Sequence, residues 1–176
     1  MSYNGRKNNL TGNVLSDEWY TPQFIVDKCI EILDKPIWFK PPKILLPYDT
    51  ENSLFVKSLK DKDITYGIMD FLESDYDYDV LITNPPFSLK EKVFEKCLKK
   101  RKHFILVLPE TFVFSVKFFD LLEKYKFHYK IYSPKQRVYF IDEKGNQNRP
   151  NFHTIIIEVS CYLRNNEIEH FYSECK

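Results

Sequence analysis

The stretch of this chain best suited to chemistry is Asn84-Pro85-Pro86-Phe87. An aliphatic run, Val80-Leu81-Ile82, leads into it with the pattern of a buried parallel strand. Two prolines cannot donate to a sheet ladder, and the first steers Asn84 away from helical backbone. The chain therefore leaves the sheet extended. A carboxamide is held at the carboxyl end of a strand, where open α/β sheets collect their ligands, with an aromatic ring three residues on. The same residues would also serve as a plain strand exit with a proline stop.

The elements that must position this stretch are legible from periodicity and punctuation. Thr21 as N-cap and Pro22 in the first turn predict a helix over residues 23–34, with Phe24, Ile25, Cys29, Ile32 and Leu33 as its inner stripe. A strand over 43–46 precedes a loop at 47–53, and Ser53 caps a helix over 54–59. A second strand at 63–66 ends at Gly67, and the acidic, tyrosine-rich residues 73–79 read as surface. After the Asn-Pro-Pro-Phe stretch come a helix at 89–100 capped by Ser88, a strand at 104–108 stopped by Pro109, and a helix at 115–125. Residues 127–132 and 153–159 predict an antiparallel pair. An extra strand at 137–141 and a turn at 144–150 lie between them, with His153 satisfied within the sheet. Residues 1–15 read as a flexible tail and 165–176 as a polar one. Strands alternating with helices predict one α/β domain, a mostly parallel seven-stranded sheet with the last pair antiparallel.

Composition narrows the classes. The chain has 176 residues, 43% hydrophobic and 16% aromatic, enough for one domain with a core and too few for two. A formal charge of +1 does not by itself favour nucleic acid, so phosphate would have to be met by local patches. The run Lys96, Lys99, Lys100, Arg101 and Lys102 is one such patch, or a solvated helix end. Cys29, Cys97, Cys161 and Cys175 are not spaced for metal and read as free thiols, with no metal expected. No signal peptide and no spanning apolar run is legible, which predicts a cytoplasmic protein without membrane contact.

Asn84-Pro85-Pro86-Phe87 resembles the Asn/Asp-Pro-Pro-Tyr/Phe motif of S-adenosylmethionine-dependent amino-group methyltransferases, above all the adenine-specific DNA methyltransferases. Two further stretches agree. Glu18-Trp19-Tyr20-Thr21-Pro22 is similar to the segment that wraps over the cofactor's methionine in that class, although Trp19 and Tyr20 could simply anchor the helix start. Pro47-Tyr48-Asp49 with Ser53-Leu54-Phe55-Val56 resembles the first loop of phage-type and EcoRI-like adenine methyltransferases, and departs from the wider family in having no glycine. An Asx-turn with its cap is the plain alternative. The order of the pieces over roughly residues 16–162 follows the γ-like arrangement of the family.

The resemblance implies a Rossmann-like class I methyltransferase domain with a C-terminal antiparallel hairpin, no separate target-recognition domain, and S-adenosyl-L-methionine as cofactor. Asn84, Pro85, Pro86 and Phe87 would be catalytic: the Asn84 oxygen and the Pro85 carbonyl accept hydrogens of an adenine amine while Phe87 stacks on the flipped base. Tyr20, Thr21, Pro47, Asp49, Ser53, Asp70, Phe71 and Asn84 would bind cofactor, with Asp49 on its ammonium and Asp70 at its adenine. The ribose contact at the end of the second strand has no evident residue. Phe87, Arg137 and Tyr139 would bind substrate, with Phe140, Asn151, Phe152 and the 110–114 segment nearby. The expected partner is DNA, with RNA or a protein glutamine as rival substrates and a homodimer or specificity partner to help choose the site. A catalytically degenerate binding module is the reading from another class.

Overall fold

The computed structural model describes residues 20–68, 70–142 and 145–172. In chain order these form α1 (Gln23–Leu33), β1 (Ile44–Leu46), α2 (Leu54–Leu59), β2 (Ile64–Tyr66), β3 (Val80–Thr83), α3 (Lys90–Lys100), β4 (His103–Pro109), α4 (Glu110–Val113), α5 (Val116–Tyr125), β5 (His128–Pro134), β6 (Phe140–Ile141), β7 (Gln147–Asn148), β8 (Thr154–Ser160) and β9 (Glu167–Phe171). Seven strands make one sheet in the order β2-β1-β3-β4-β8-β5-β9, and β6 pairs with β7 in a separate antiparallel hairpin. From β2 to β4 the strands are parallel, and β8 is antiparallel to both β4 and β5.

Strand alternation sends one set of side chains to each face of the sheet. In β4, Phe104, Leu106 and Leu108 join the core under α3 and α5, while Ile105 and Val107 join the core under α1 and α2. With both faces covered, the central strands read as unbroken apolar runs. Their carboxyl ends gather on one edge, and Asn84 and Glu110 leave from neighbouring strands there.

Several elements differ from expectation, each for a local reason. Pro22, not Thr21, is the N-cap of α1 and makes no side-chain cap bond, and α3 starts after Leu89 with no cap from Ser88. Ser53 does cap α2, accepting from the Phe55 N–H, and Ser115, read as the first helical residue, instead caps α5, accepting from the Phe118 N–H. Residues 167–171, read as polar tail, form β9 parallel to β5. This edge strand is fixed by its backbone ladder and by Lys28 and Lys130 pairing with Glu167 and Glu169, so it has no apolar signature. Gln147–Asn148, read as part of a turn, pairs with β6, and the extra strand is confined to Phe140–Ile141. Residues 1–19, Lys144 and Cys175 lie outside the described residues.

The acidic 73–79 segment is less exposed than its charge suggests: Tyr78 is buried. The basic run opposite is what fastens it. Lys96 donates to the carbonyls of Phe71 and Ser74 and Lys102 to that of Tyr78, while Lys100 pairs with Asp75 at 2.5 Å and Lys99 with Glu95 at 3.3 Å. Among the described residues no helix is long and apolar enough to cross a membrane.

Candidate functional site

Three short segments meet at the carboxyl edge: the loop after β1, the exit of β3 and the turn after β2. Gly67 takes φ +74° at the end of β2, a conformation that suits glycine, and lets Ile68 N–H donate to the Pro47 carbonyl at 2.7 Å. The loop after β1 is thereby tied to the turn after β2. Within it Ser53 Oγ accepts from Phe55 N–H at 3.1 Å and donates to Asp49 Oδ1 at 2.6 Å. Thr83 Oγ1, the last side chain of β3, donates to Asp49 Oδ2 at 3.4 Å. Burial pushes the Asp49 carboxyl up to about 6, against the Ser53 and Thr83 hydrogen bonds that lower it. A carboxylate so placed is suited to a cationic partner, whose arrival would offset the desolvation.

Asn84 follows Thr83 directly. Its Oδ1 is buried and has no hydrogen-bond partner. Most buried polar atoms are paired, so an orphan acceptor at a strand end marks a place for a donor from outside the chain. Beyond it, Leu89 N–H donates to the Pro86 carbonyl at 2.8 Å and Lys90 Nζ to the Phe87 carbonyl at 2.9 Å, which fixes the turn into α3. The Phe87 ring meets Phe152 edge-on at 5.0 Å and Phe140 at 6.3 Å. Three aromatic rings from three segments thus wall one side of the strand exit.

The remaining expected residues divide. Tyr20 is fastened to the hairpin by reciprocal backbone bonds with Ile141, 2.9 and 3.2 Å, which carries Thr21 with it; Thr21 is buried. Val138 and Phe140 point into the core while Arg137 and Tyr139 alternate outward and are exposed. Asp70 is exposed, with both oxygens engaged by Ser74 Oγ and Tyr76 OH at 2.5 Å, and these bonds hold its carboxyl below the usual range. Phe71 is fully buried in the core against Tyr48. The structure therefore brings Pro47, Asp49, Ser53, Asn84 and Phe87 to one edge. It leaves Asp70 engaged by its own loop and Phe71 buried in the core, and spends the Ser53 hydroxyl on Asp49 and the cap.

Sequence reasoning missed two members of this edge. Thr83 reads as a plain strand residue, yet it bridges β3 to Asp49. Thr154, opposite Pro109 in the β4–β8 register, is 1% exposed, and its hydroxyl has no partner. Only a proline facing it across the ladder hints that its surroundings are short of a donor.

No family model matches the chain, and no curated protein matches it in sequence. Solved structures do match in shape. A protein from Listeria monocytogenes, assigned provisionally as a class I S-adenosylmethionine-dependent methyltransferase, superposes with a TM-score of 0.60 over 92% of this chain and 68% of its own, at 13% identity. The 23S rRNA methyltransferase ErmE gives 0.56 over 80% of this chain and 69% of its own, at 11% identity. A Pyrococcus horikoshii protein, assigned provisionally as an RNA methyltransferase, gives 0.50 over 80% and 83%, at 13% identity. The fold is that of a class I methyltransferase. At these identities the fold is what is shared.

Proposed function

We propose that this chain is an S-adenosylmethionine-dependent methyltransferase that methylates the exocyclic amine of adenine in DNA. The observation that carries the reading is Asn84 Oδ1, a buried acceptor without a partner at the carboxyl end of β3. An adenine amine is a poor nucleophile because its lone pair is delocalised into the ring. An acceptor that holds one of its hydrogens out of the ring plane localises that pair, and it gains most as the nitrogen becomes positive. A second acceptor at the same edge takes the other hydrogen, a role the family resemblance gives to the Pro85 carbonyl. Phe87, held edge-on by Phe140 and Phe152, offers the base a wall.

The cofactor fits the donor set. S-adenosylmethionine would supply an electrophilic methyl group; Asp49 would hold its ammonium, with Pro47, Tyr20 and Thr21 lining the methionine side. The glycine-free loop is no obstacle, since this cofactor has no phosphate to cradle. Sequence choice would fall to the segments around the exposed Arg137 and Tyr139 or to a partner subunit.

RNA is the second reading, favoured by shape neighbours that include a 23S rRNA methyltransferase. Calorimetric titration with S-adenosylmethionine, followed by methyl-transfer assays on DNA, RNA and a glutamine peptide, decides among them. Cofactor binding with methyl incorporation into DNA adenine is expected. Binding without transfer to any adenine-bearing strand would leave a binding module instead.

A further inference from the structure

At the edge of the sheet opposite Asn84, where β4 and β5 begin and β8 ends, lies a groove of about 360 Å³. Its lining includes Arg101, Lys126, Phe127, His128, Cys161 and Arg164. β4 runs seven residues between the two edges, about 20 Å at the usual rise of a strand, so the groove is separate from the site described above. Among the described residues no carboxylate lines it. Elsewhere on this chain exposed lysines meet acids: Lys43 pairs with Asp77 at 2.6 Å, Lys62 with Asp34 at 2.7 Å and Lys99 with Glu95 at 3.3 Å. The side chains of Lys126 and Arg164 have no hydrogen bond or ion pair among the described residues.

The backbone agrees. Among the described residues two that are not glycine take a positive φ, Arg101 at 53° and Lys126 at 57°, and both line this groove. They end α3 and α5, where glycine is the usual residue because a Cβ is crowded in the left-handed region. A cation at a helix C-terminus complements the dipole, but that needs no left-handed backbone, and it does not account for Arg164 in the turn after β8. Arg101 is held in place: its Nη1 donates to the Tyr125 carbonyl at 3.2 Å, and its guanidinium lies 4.9 Å from the Phe127 ring centroid. Ser160 folds the turn after β8 back on itself. It accepts at Oγ from Tyr162 N–H at 3.1 Å and at its carbonyl from Leu163 N–H at 3.4 Å, which brings Arg164 to the same groove.

We propose that this groove is an anion site, separate from the methyl-transfer edge, and that it takes a phosphate group, free or carried as the monoester of a small molecule. Arg101, Lys126 and Arg164 bring positive charge from three segments with no counter-charge in the lining, and an anion relieves their mutual repulsion. A carboxylate offers one charge and two oxygens. A phosphate monoester carries about two charges and three acceptor oxygens, which suits two guanidinium forks and an ammonium. The volume is at the low end for ligand sites, room for a small ester. Glycine at position 101 or 126 would relax the backbone, but it would remove a cation from the site.

Cys161 is exposed in the lining, so its alkylation reports occupancy. The full chain is treated with iodoacetamide at constant ionic strength, with inorganic phosphate, glycerol phosphate or an oligothymidylate added, and the Cys161 peptide is followed by mass spectrometry. Phosphate and glycerol phosphate should slow alkylation about tenfold, with a half-effect near ~1 mM, as a few charge-assisted bonds in an open groove would give. Lys126→Gly and Arg164→Ala should each raise the half-effect concentration roughly tenfold. Lys126→Gly also relaxes a left-handed residue, so without phosphate it should unfold at the parent's temperature or ~2 °C above it. A residue that served only the fold would do the reverse, losing stability with the phosphate dependence unchanged. Parent alkylation indifferent to ~50 mM phosphate overturns the inference, and so do variants protected as well as the parent. Stronger protection by oligothymidylate than by phosphate overturns it too, and gives the groove to a nucleic-acid strand. The methylation reading stands or falls separately, on methyl transfer.

Discussion

The two ends of β8 carry polar side chains in opposite states. At its start Thr154 is 1% exposed with a hydroxyl that nothing meets; four residues later, on the same face of the sheet, Glu158 is 2% exposed and surrounded. Glu158 accepts from Lys35 Nζ and Tyr132 OH, each at 2.7 Å, and lies 3.2 Å from His103 Nε2. Trp38 stacks on the His103 ring at 5.5 Å. Burial by itself would push the Glu158 carboxyl up, and these donors outweigh it, holding it at about 2. The Glu158 carboxylate is therefore closed in by groups of its own chain, while its neighbour His103 keeps a buried Nδ1 without a hydrogen-bond partner. The carboxyl edge, with Asn84, Glu110 and Thr154, is left open to a donor from outside. On the function proposed above, the difference separates stability from recognition along a single strand.

The largest effect expected is at the closed end. Glu158→Ala would take the acceptor from Lys35, Tyr132 and His103; because Lys35 is 35% exposed and keeps contact with water, the loss falls toward about 3 kcal/mol, the low end for breaking a buried pair. Chemical denaturation should read this as a drop in midpoint, with the transfer rate per folded molecule unchanged. The pH dependence has a definite sign. Because the folded carboxyl is held below its usual 4.5, its contribution is complete above about 4.5 and is lost as pH falls toward about 2. A variant as stable as the parent would mean that the closed end holds nothing together.

Asn84→Ala should behave in the opposite way. Losing one preorganised polar group at a reacting centre typically lowers the rate by ~10²-fold or more. Stability should be unchanged or slightly higher, because the oxygen removed has no partner in the fold. Single-turnover methyl transfer beside thermal unfolding measures both. An active Asn84→Ala would reduce the motif to a strand exit and move the binding-module reading to the front.

The contrast between the ends also marks what a sequence can express. Val80-Leu81-Ile82 before two prolines declares a buried strand and its exit, and Ser53 declares a cap, because those signals are local. β9 was not legible: Glu167-Ile168-Glu169 carries no apolar face, and its cations, Lys28 and Lys130, come from distant segments. The closed end was equally hidden, since Lys35, His103, Tyr132 and Glu158 are scattered through the chain. At the open edge, Asn84 and Asp49 were identified from motifs. The tie between Asp49 and Thr83 follows only once β1 and β3 are adjacent. Asp70 matched a motif position too, and yet its oxygens are taken by Ser74 and Tyr76 from its own loop.

Asp49 sharpens the comparison by titration, with a smaller effect. Its folded carboxyl is raised from 3.8 to about 6, so its charge costs the fold stability above about 6, and the cost vanishes as pH falls toward 4. This is the reverse of Glu158, and on the order of 3 kcal/mol in the cofactor-free protein. A cationic ammonium needs the ionised form. Affinity for S-adenosylmethionine should therefore be full above pH 6 and decline up to tenfold per unit below it. Asp49→Ala should weaken binding by roughly 1.5–3 kcal/mol and remove the pH dependence. Calorimetry across pH 5–8 checks it, and a variant with parental affinity would show that the loop after β1 does not hold the cofactor.

The smallest effect is expected on the basic flank, which belongs to neither end. Lys99 pairs with Glu95 and Lys100 with Asp75, each pair with one largely exposed member, and such surface pairs contribute about 0.2–1 kcal/mol. The Lys96 and Lys102 ammonium groups are already engaged by backbone carbonyls of the 71–78 segment. A lysine that gave up such a bond to reach phosphate would leave a carbonyl unpaired, which argues against a nucleic-acid contact by this run. Replacing Lys99 and Lys100 together by Ala should thus change stability by less than about 1 kcal/mol. The slope of log affinity for a DNA duplex against log salt should stay parental, where each lost phosphate contact would reduce it by about one unit. A fall of two units would assign the flank to the substrate surface and end its reading as a brace for the 71–78 segment.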